Sequence, residues 1–495
     1  MRAAQVDASE LASLVLRREM LDLVVRTLAL AAGVLALSTL VALPAAYLTT
    51  STDLPGRRIF TVLQVLPLAI PGYVLAYVLQ STGGLQGPVY RLTGLLFERP
   101  HGYWGALVVL ALYNTPYLYL NLRTAFERLD PDLEDAARSL GAGRRRIFSG
   151  VVLPQIVPGY LAGALLVLLH VLGDFGVVSL MRYDTFSRAI FLEHQFPSAG
   201  YTRAAWLALL LLAMTAPVLL LEWRALRDLR LYRAGRGSGR RRRQHRLGGL
   251  KAPALALLSL HALVSLALPV GTLVFWAFRG SGGGALRGDW LSALLASVQA
   301  SLPAALIATF LALHLAYLSS RYPSRWSQGI ERTAYLGYAT PPVAFGLALV
   351  VLFVRSDLYE VLSESLVLLV GGYSIHFLAE AIGPLRSALS LATPRFEEAS
   401  RSLGRGPLGT FAHVTFPLLR TALGASAAFV FLSAMKELPM TMLLAPRDFD
   451  TLAKVVYDRA SEISYADAAP YALTILVTSS LFVSLLFVRR EEPRD

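Results

Sequence analysis

The sequence predicts an all-α protein that crosses a membrane many times, and three observations predict it. Hydrophobic residues make up 55% of the 495 residues and charged residues only 16%, a balance foreign to soluble domains. The apolar residues gather into eleven runs, each about 20 residues or longer and so able to cross a bilayer as a helix. The second half of the chain also repeats the first, at an offset of 263 positions around its best-matched stretch.

In order, the runs cover 24–49, 59–80, 103–122, 156–181, 203–221, 253–277, 291–319, 333–354, 365–385, 418–443 and 468–488. The ninth is the most polar, because it contains His376 and Glu380. Between the fifth and sixth, ten arginines fall within Arg224–Arg246 among Gly and Ser. Such a stretch reads as a solvated linker and marks an inner side, since short loops rich in Lys and Arg stay cytoplasmic. With the linker inside, the loops at Asp53–Arg58, Arg123–Arg146, Arg321–Arg332 and Arg386–Arg405 also fall inside, as does the C-terminus. The loops at 82–102, 182–202, 279–289, 355–364 and 444–467 fall outside and are poorer in arginine. The domain division is then an N-terminal segment (1–21), a first membrane domain (22–222), an Arg-rich cytoplasmic linker (223–252) and an extra linking membrane helix (253–278). A second membrane domain (290–488) and a short cytoplasmic tail (489–495) follow. Eleven crossings place the N-terminus outside and leave the sixth run without a partner in the first half. Either a leading helix is missing or the start lies inside a longer reading frame.

The repeat is clearest at Leu133-Glu-Asp-Ala-Ala-Arg-Ser-Leu-Gly141 and Phe396-Glu-Glu-Ala-Ser-Arg-Ser-Leu-Gly404. Each copy reads as a short capped helix. Asp130 and Thr393 are N-cap types, followed by Pro131 and Pro394 at the first helical position, where no N–H is needed. Acids fill the first turn, which the helix dipole favours. Glu134 and Arg138 are four apart, as are Glu397 and Arg401, so each pair can meet on one face. Leu133, Ala136, Ala137 and Leu140 form a narrow apolar stripe. Gly141 and Gly404 can take the left-handed conformation that ends a helix. A helix so short is poorly stable alone and needs a surface to lean on.

The matches continue outward. Leu54-Pro55-Gly56-Arg57 parallels Tyr322-Pro323-Ser324-Arg325, Pro71 parallels Pro341, and Asp184-Thr185-Phe186-Ser187-Arg188 parallels Asp450-Thr451-Leu452-Ala453-Lys454. Pro71 and Pro341 predict kinks in the second and eighth spans. Two homologous halves around a shared axis are a common transporter plan.

With these residues in hand, the chain resembles the permease subunits of ABC importers. Their cytoplasmic "EAA" loop carries acid-Ala-Ala, then Gly, then Leu-Pro. Here that pattern is Glu134-Asp135-Ala136-Ala137, Gly141 and Leu153-Pro154, and again Glu397-Glu398-Ala399-Ser400, Gly404 and Phe416-Pro417, departing at Ser400 and Phe416. The fused two-half layout, Asp53-Leu54-Pro55-Gly56-Arg57-Arg58, Gly173-Asp174-Phe175-Gly176 and Glu437-Leu438-Pro439-Met440-Thr441 are similar to the ferric-iron branch. The resemblance covers nearly all of 22–488. It implies two tandem halves of the type I ABC-importer permease fold in a bacterial inner membrane. It also implies two copies of an ATPase subunit docked on the two loops, and a periplasmic or surface-anchored solute-binding protein that delivers ferric iron. The implied coupling residues are Glu134, Asp135, Ala136, Ala137, Gly141, Glu397, Glu398, Ala399 and Gly404. Glu134 and Glu397 would pair with partner arginines or with Arg138 and Arg401. Fused permeases for thiamine, phosphonate or polyamine look alike and stand as alternatives. A secondary transporter or channel is more distant, since its repeats are usually inverted.

The remaining chemistry is sparse. No glycine-rich loop with Gly-Lys-Ser/Thr is present, so ATP would be bound by a partner subunit and this chain would carry no cofactor and no catalytic residue. With no cysteine there is no disulfide, iron–sulfur cluster or thiolate site, and the eight histidines form no zinc motif. The net charge of +13 lies in short segments between apolar runs, which fits a membrane and its lipid better than nucleic acid. Asp174 and Glu437, again 263 apart, lie in membrane spans, where ionisable groups are costly and usually face a pathway or a partner. They are expected near the outer mouth, where carboxylates suit a hard cation. The competing reading is a structural hydrogen bond, for Glu437 with Lys436 or Arg447. His376 and Glu380 read as packing or helix–helix hydrogen bonding.

Overall fold

A computed structural model describes residues 18–195, 200–232, 245–279, 289–354, 356 and 358–488. Among the described residues every regular element is a helix, and extended pairing is limited to an isolated bridge between Thr52 and His245. The chain divides into two units, Met1–Phe278 and Arg279–Asp495.

The first unit opens with α1 (Arg18–Ser51), followed by α2 (Arg57–Val65), a 3-10 turn at Leu66–Ala69, and α3 (Gly72–Thr82). A short α4 (Pro88–Thr93) precedes α5 (Gly102–Glu127) and the predicted interfacial helix α6 (Pro131–Ser139). Next come α7 (Arg144–Ile147), a π turn at Phe148–Val152, α8 (Leu153–Gly173), α9 (Gly176–Leu180), α10 (Phe186–His194) and α11 (Gly200–Tyr232). The unit ends with α12 (Lys251–Ala262), a π turn at Leu263–Ala267 and α13 (Leu268–Arg279), whose last residue lies at the unit boundary.

The second unit repeats the order. It contains α14 (Trp290–Arg321), α15 (Arg325–Ala339), α16 (Pro342–Phe353), α17 (Leu358–Ser363), α18 (Val367–His376) and α19 (Leu378–Leu391). The repeated interfacial helix is α20 (Pro394–Ser402). Then come α21 (Pro407–Thr410), a π turn at Phe411–Thr415, α22 (Phe416–Met435), α23 (Pro439–Leu444), α24 (Leu452–Ser461) and α25 (Tyr465–Val488). The repeat reaches backbone irregularities: the π turns at Phe148 and Phe411, and the helix breaks at Asp174 and Glu437, all obey the same offset.

Small residues let the long helices approach. In α14, Ala293, Ser297, Ala300, Ala304, Ala308, Ala312 and Ala316 are buried at helical spacing, and this stripe faces α19 and α22. In the first unit α5 packs on α1 and α8. A Cβ on Gly163 would lie 2.8 Å from Leu118 Cδ1, and one on Gly159 would lie 2.7 Å from Ala125 Cβ. These glycines set how closely α5 and α8 pack.

Each of the eleven predicted spans coincides with a helix or a broken helix pair. Among the described residues, six helices are long and apolar enough to cross a membrane, and nine spans result when each bent pair counts as one. The third and eleventh predicted spans, α5 and α25, lie outside that set. For α5 the reason is its polar residues. Asn114 and Thr115 are buried and bond the carbonyls of Leu110 and Ala111, at 2.8 and 2.6 Å. The helix satisfies their donor groups itself, while the Asn114 side-chain oxygen is buried without a hydrogen-bond partner. Pro71 and Pro341 do mark bends, of 96° and 108°, but as the residues that start α3 and α16.

Segments assigned to one side of the membrane lie together within each unit. Asp53 pairs with Lys251 at 2.9 Å in the first, and Arg386 with Glu331 at 2.7 Å in the second. At the opposite end Arg26 pairs with Asp184 at 3.4 Å, and Leu452 N–H donates to Ser297 Oγ at 2.8 Å. Of the Arg-rich linker, the backbone of Arg224–Tyr232 continues α11; positions 233–244 lie outside the described residues, as do most of the N-terminal segment (1–17) and the tail (489–495).

Candidate coupling surface and membrane polar sites

The two repeated helices fold as their sequences require. In α6 the Asp130 carboxylate accepts the Asp132 N–H at 3.0 Å, and Pro131 occupies the first turn. Thr393, at the head of α20, makes no side-chain cap, so Pro394 and the acidic first turn start that helix without one. Both helices end alike. Gly141 N–H donates to Arg138 O and Ala142 N–H to Ala137 O; Gly404 N–H donates to Arg401 O and Arg405 N–H to Ser400 O. This paired closure needs a left-handed residue, and Gly141 and Gly404 have φ of 77° and 84°.

Both glutamates are buried within their own units. Glu134 and Glu397 are 5% and 6% exposed. Glu397 Oε1 accepts Arg321 Nε at 3.1 Å and its Oε2 accepts the Tyr317 hydroxyl at 3.1 Å; Arg401 stands farther off at 4.0 Å. The Arg321 guanidinium also donates to the carbonyls of Leu389 and Ala392, tying the end of α14 to the approach to α20. Of the expected intrahelical partners, Arg401 is thus secondary, and Arg138 bonds Asp135 at 2.9 Å. Glu134 instead lies 4.0 Å from His245 Nε2.

His245 is held by the end of α1. Its N–H donates to Ser51 O at 2.8 Å, its carbonyl accepts Asp53 N–H at 3.1 Å, and its ring stacks on Tyr47. The Asp53 carboxylate accepts Leu247 N–H at 2.9 Å and pairs with Lys251. The Leu247 N–H first, then Lys251, hold the Asp53 carboxyl below its ordinary range. Sequence reasoning missed Tyr317, Arg321 and His245, because their partners lie dozens of residues away and leave no periodic trace. The one available signal was a cation closing a long apolar helix, Arg321.

What remains exposed is the opposite face. Leu133, Asp135, Ala136 and Leu140 are exposed on and beside α6, as are Phe396, Glu398, Ala399 and Leu403 at the matching positions of α20. Leu140 and Leu403 are 87% and 84% exposed, and Leu133 and Phe396 are 50% and 55% exposed. Ala137 is half-buried, and its counterpart Ser400 is buried and accepts the Thr410 hydroxyl at 3.2 Å. Each unit therefore presents the same small apolar-and-acidic face, anchored from behind by a buried glutamate.

The acids of the membrane spans behave differently from surface acids. Asp174 Oδ1 accepts Val177 N–H at 2.9 Å and Val178 N–H at 3.3 Å, capping α9. Glu437 accepts Met440 N–H at 2.9 Å and Thr441 N–H at 3.0 Å, capping α23. Backbone amides freed by a helix break donate to Glu437, joined by the Thr441 hydroxyl at 3.3 Å, in place of the expected Lys436 or Arg447. Glu380 accepts the Ser433 hydroxyl at 2.7 Å, across α19 and α22, as helix–helix bonding predicts. No group of three or more His, Cys, Asp or Glu is arranged to hold a metal ion among the described residues.

The family model for the binding-protein-dependent transport system inner membrane component matches twice, over residues 35–222 and 305–494. The Fe(3+)-transport system permease protein FbpB 2 of Haemophilus influenzae is 30% identical over 98% of this chain and 93% of its own length. The molybdenum transport system permease protein ModB of Escherichia coli is 31% identical over 36% of this chain and 82% of its own. The sulfate transport system permease protein CysT of Salmonella typhimurium is 30% identical over 34% of this chain and 65% of its own.

Proposed function

This chain belongs to the binding-protein-dependent transport system inner membrane component family of ABC permeases, and on that premise we propose that it forms the pathway by which a bacterial inner membrane imports ferric iron. Energy would come from two copies of an ATPase subunit, one on each of α6 and α20. A solute-binding protein would present the cargo on the other side. The observation that carries this reading is the duplicated exposed face: Leu133 with Leu140, and Phe396 with Leu403. An apolar pair on a short helix, backed by a buried glutamate, is built to bear on something outside the chain. Small Ala136 and Ala399 let a partner approach closely. Gly141 and Gly404 return the chain toward the membrane.

In this reading α6, α20, the Arg-rich linker and the C-terminus are cytoplasmic, on the side where a run of arginines attracts anionic lipid. Closure of the two ATPase subunits on ATP would draw the coupling helices together and rock each unit. Glu134 and Glu397 would transmit that motion inward, through His245 and Arg321. Asp174 and Glu437 would shape the pathway as caps that fix the helix breaks. Ferric iron is favoured over the molybdenum and sulfate cargoes of other relatives because the iron permease matches along almost the whole chain, whereas those match about a third of it.

The test is uptake by proteoliposomes containing this chain, its ATPase and its binding protein. ATP-dependent accumulation of radiolabelled ferric iron, with no accumulation of molybdate or thiamine, is expected. Accumulation without ATPase, driven by a proton or sodium gradient, would overturn the importer reading; ATP-driven uptake of another solute would overturn only the cargo.

A further inference from the structure

In the second unit, three broken spans bring polar residues to one place. The pair α15–α16 bends by 108° after Thr340, and α18–α19 bends by 45° at Phe377. The third break separates α22 from α23 at Lys436–Leu438. Beside these breaks stand Tyr338, Glu380, Ser433 and Lys436, all half-buried within their unit. Ser433 donates to Glu380 at 2.7 Å. Tyr338 also bonds Glu380, and the Lys436 ammonium acts on the same carboxylate electrostatically. His376, 2% exposed, packs its ring on Tyr338 and Phe345 and leaves Nδ1 without a hydrogen-bond partner.

Breaks in membrane helices expose backbone groups and are tolerated where they line a cavity or a binding site. Ionisable side chains at that depth are expensive and need a compensating use. The first unit makes the matching crossing without these polar groups. There the offset of 263 places Tyr117 opposite Glu380, His170 opposite Ser433 and Gly173 opposite Lys436. Tyr117 and His170 touch as rings, with centroids 4.5 Å apart, and α5 is continuous where α18–α19 is broken. The same crossing is made with aromatic rings in one half and with a carboxylate and a hydroxyl in the other, with Lys436 where the first half has Gly173.

We propose that Glu380, Tyr338 and Ser433 form a transit site for the hard cation, with Lys436 as the displaceable counter-ion of the empty state. The proposal rests on the ferric-iron reading above. A carboxylate, a phenol and a hydroxyl supply the oxygen donors that a small, highly charged ion prefers. Water or an accompanying anion would fill the other positions, so the ion is held weakly enough to leave. Lys436 neutralises Glu380 when the site is empty and is repelled as the cation arrives. Glu437, capping α23 one residue further on, fixes the break that presents Lys436.

The experiment compares ferric-iron uptake per ATP hydrolysed in the reconstituted importer, at equal amounts of assembled complex. Glu380→Gln and Tyr338→Phe are expected to lower the ratio about tenfold, the scale of one lost charge-assisted contact. Glu380→Asp, which keeps the charge, should recover at least half of it. Tyr117→Phe, at the mirror position, should match the wild type. Wild-type coupling by Glu380→Gln, or equal failure of Glu380→Asp and Glu380→Gln, would overturn the site. If the wild-type complex moves another solute and no iron, the cargo reading fails first and the transit site falls with it.

Discussion

Removing the Arg321 side chain should release α20 without unfolding the unit around it. Arg321 and Glu397 are 9% and 8% exposed in their side chains, so their pair is shielded from water. Breaking a buried pair from one side costs about 3–5 kcal/mol, because the remaining charge is stranded. Tyr317 still donates to Glu397, and Arg401 stands at 4.0 Å, so the lower end applies. About 3 kcal/mol is more than a hundredfold in the local opening equilibrium. Arg321→Ala should therefore lower hydrogen-exchange protection of the α20 amides about a hundredfold, with α22 little changed. The double variant Arg321→Ala/Glu397→Ala leaves no stranded charge and should recover most of the protection. Unchanged protection in the single variant, or a double variant worse than the single, would refute the buried anchor.

Asp174→Asn should keep both stability and uptake, since an amide oxygen still caps α9, whereas Asp174→Ala should lose about 1 kcal/mol in chemical denaturation. Uptake abolished by Asp174→Asn at normal stability would put the charge itself in the pathway. Gly404→Ala should cost about 1–2 kcal/mol through backbone strain alone, because φ is 84° and no atom lies within 4 Å of the added Cβ; a melting curve reads it. The clasp at Asp53 should follow acid. Its carboxyl is held low, so the stabilisation is complete above about pH 4 and lost as pH falls through the lower folded value. The Leu247 amide, corrected for intrinsic exchange, should lose protection over that range, and Asp53→Asn should abolish the pH dependence.

The architecture was legible because its signals are local. Apolar length, arginine in alternate loops and the offset repeat do not depend on knowing what touches what. Gly141 and Gly404 were legible for the same reason: the left-handed turn they make is a property of one residue. The helix breaks at Asp174 and Glu437 were harder to read. Apolar composition runs on through 156–181 and 418–443, and only Gly173, Gly176 and Pro439 hint that hydrogen bonding stops. The inward turn of Glu134 and Glu397 was not legible at all. A helix carrying glutamate and arginine four apart offers an intrahelical pair, and only the fold shows that Arg321 and His245 compete for those carboxylates.

The chain has no cysteine, so a thiol can be placed singly at the exposed face of α6 or of α20. The most direct measurement is cross-linking of Leu140→Cys and Leu403→Cys to a cysteine-bearing ATPase subunit in native membranes. Both positions should cross-link, from the same side, and ATP should change the yield at each. Capture at only one of them, or labelling of the two from opposite sides of the membrane, would contradict a permease driven through twin helices.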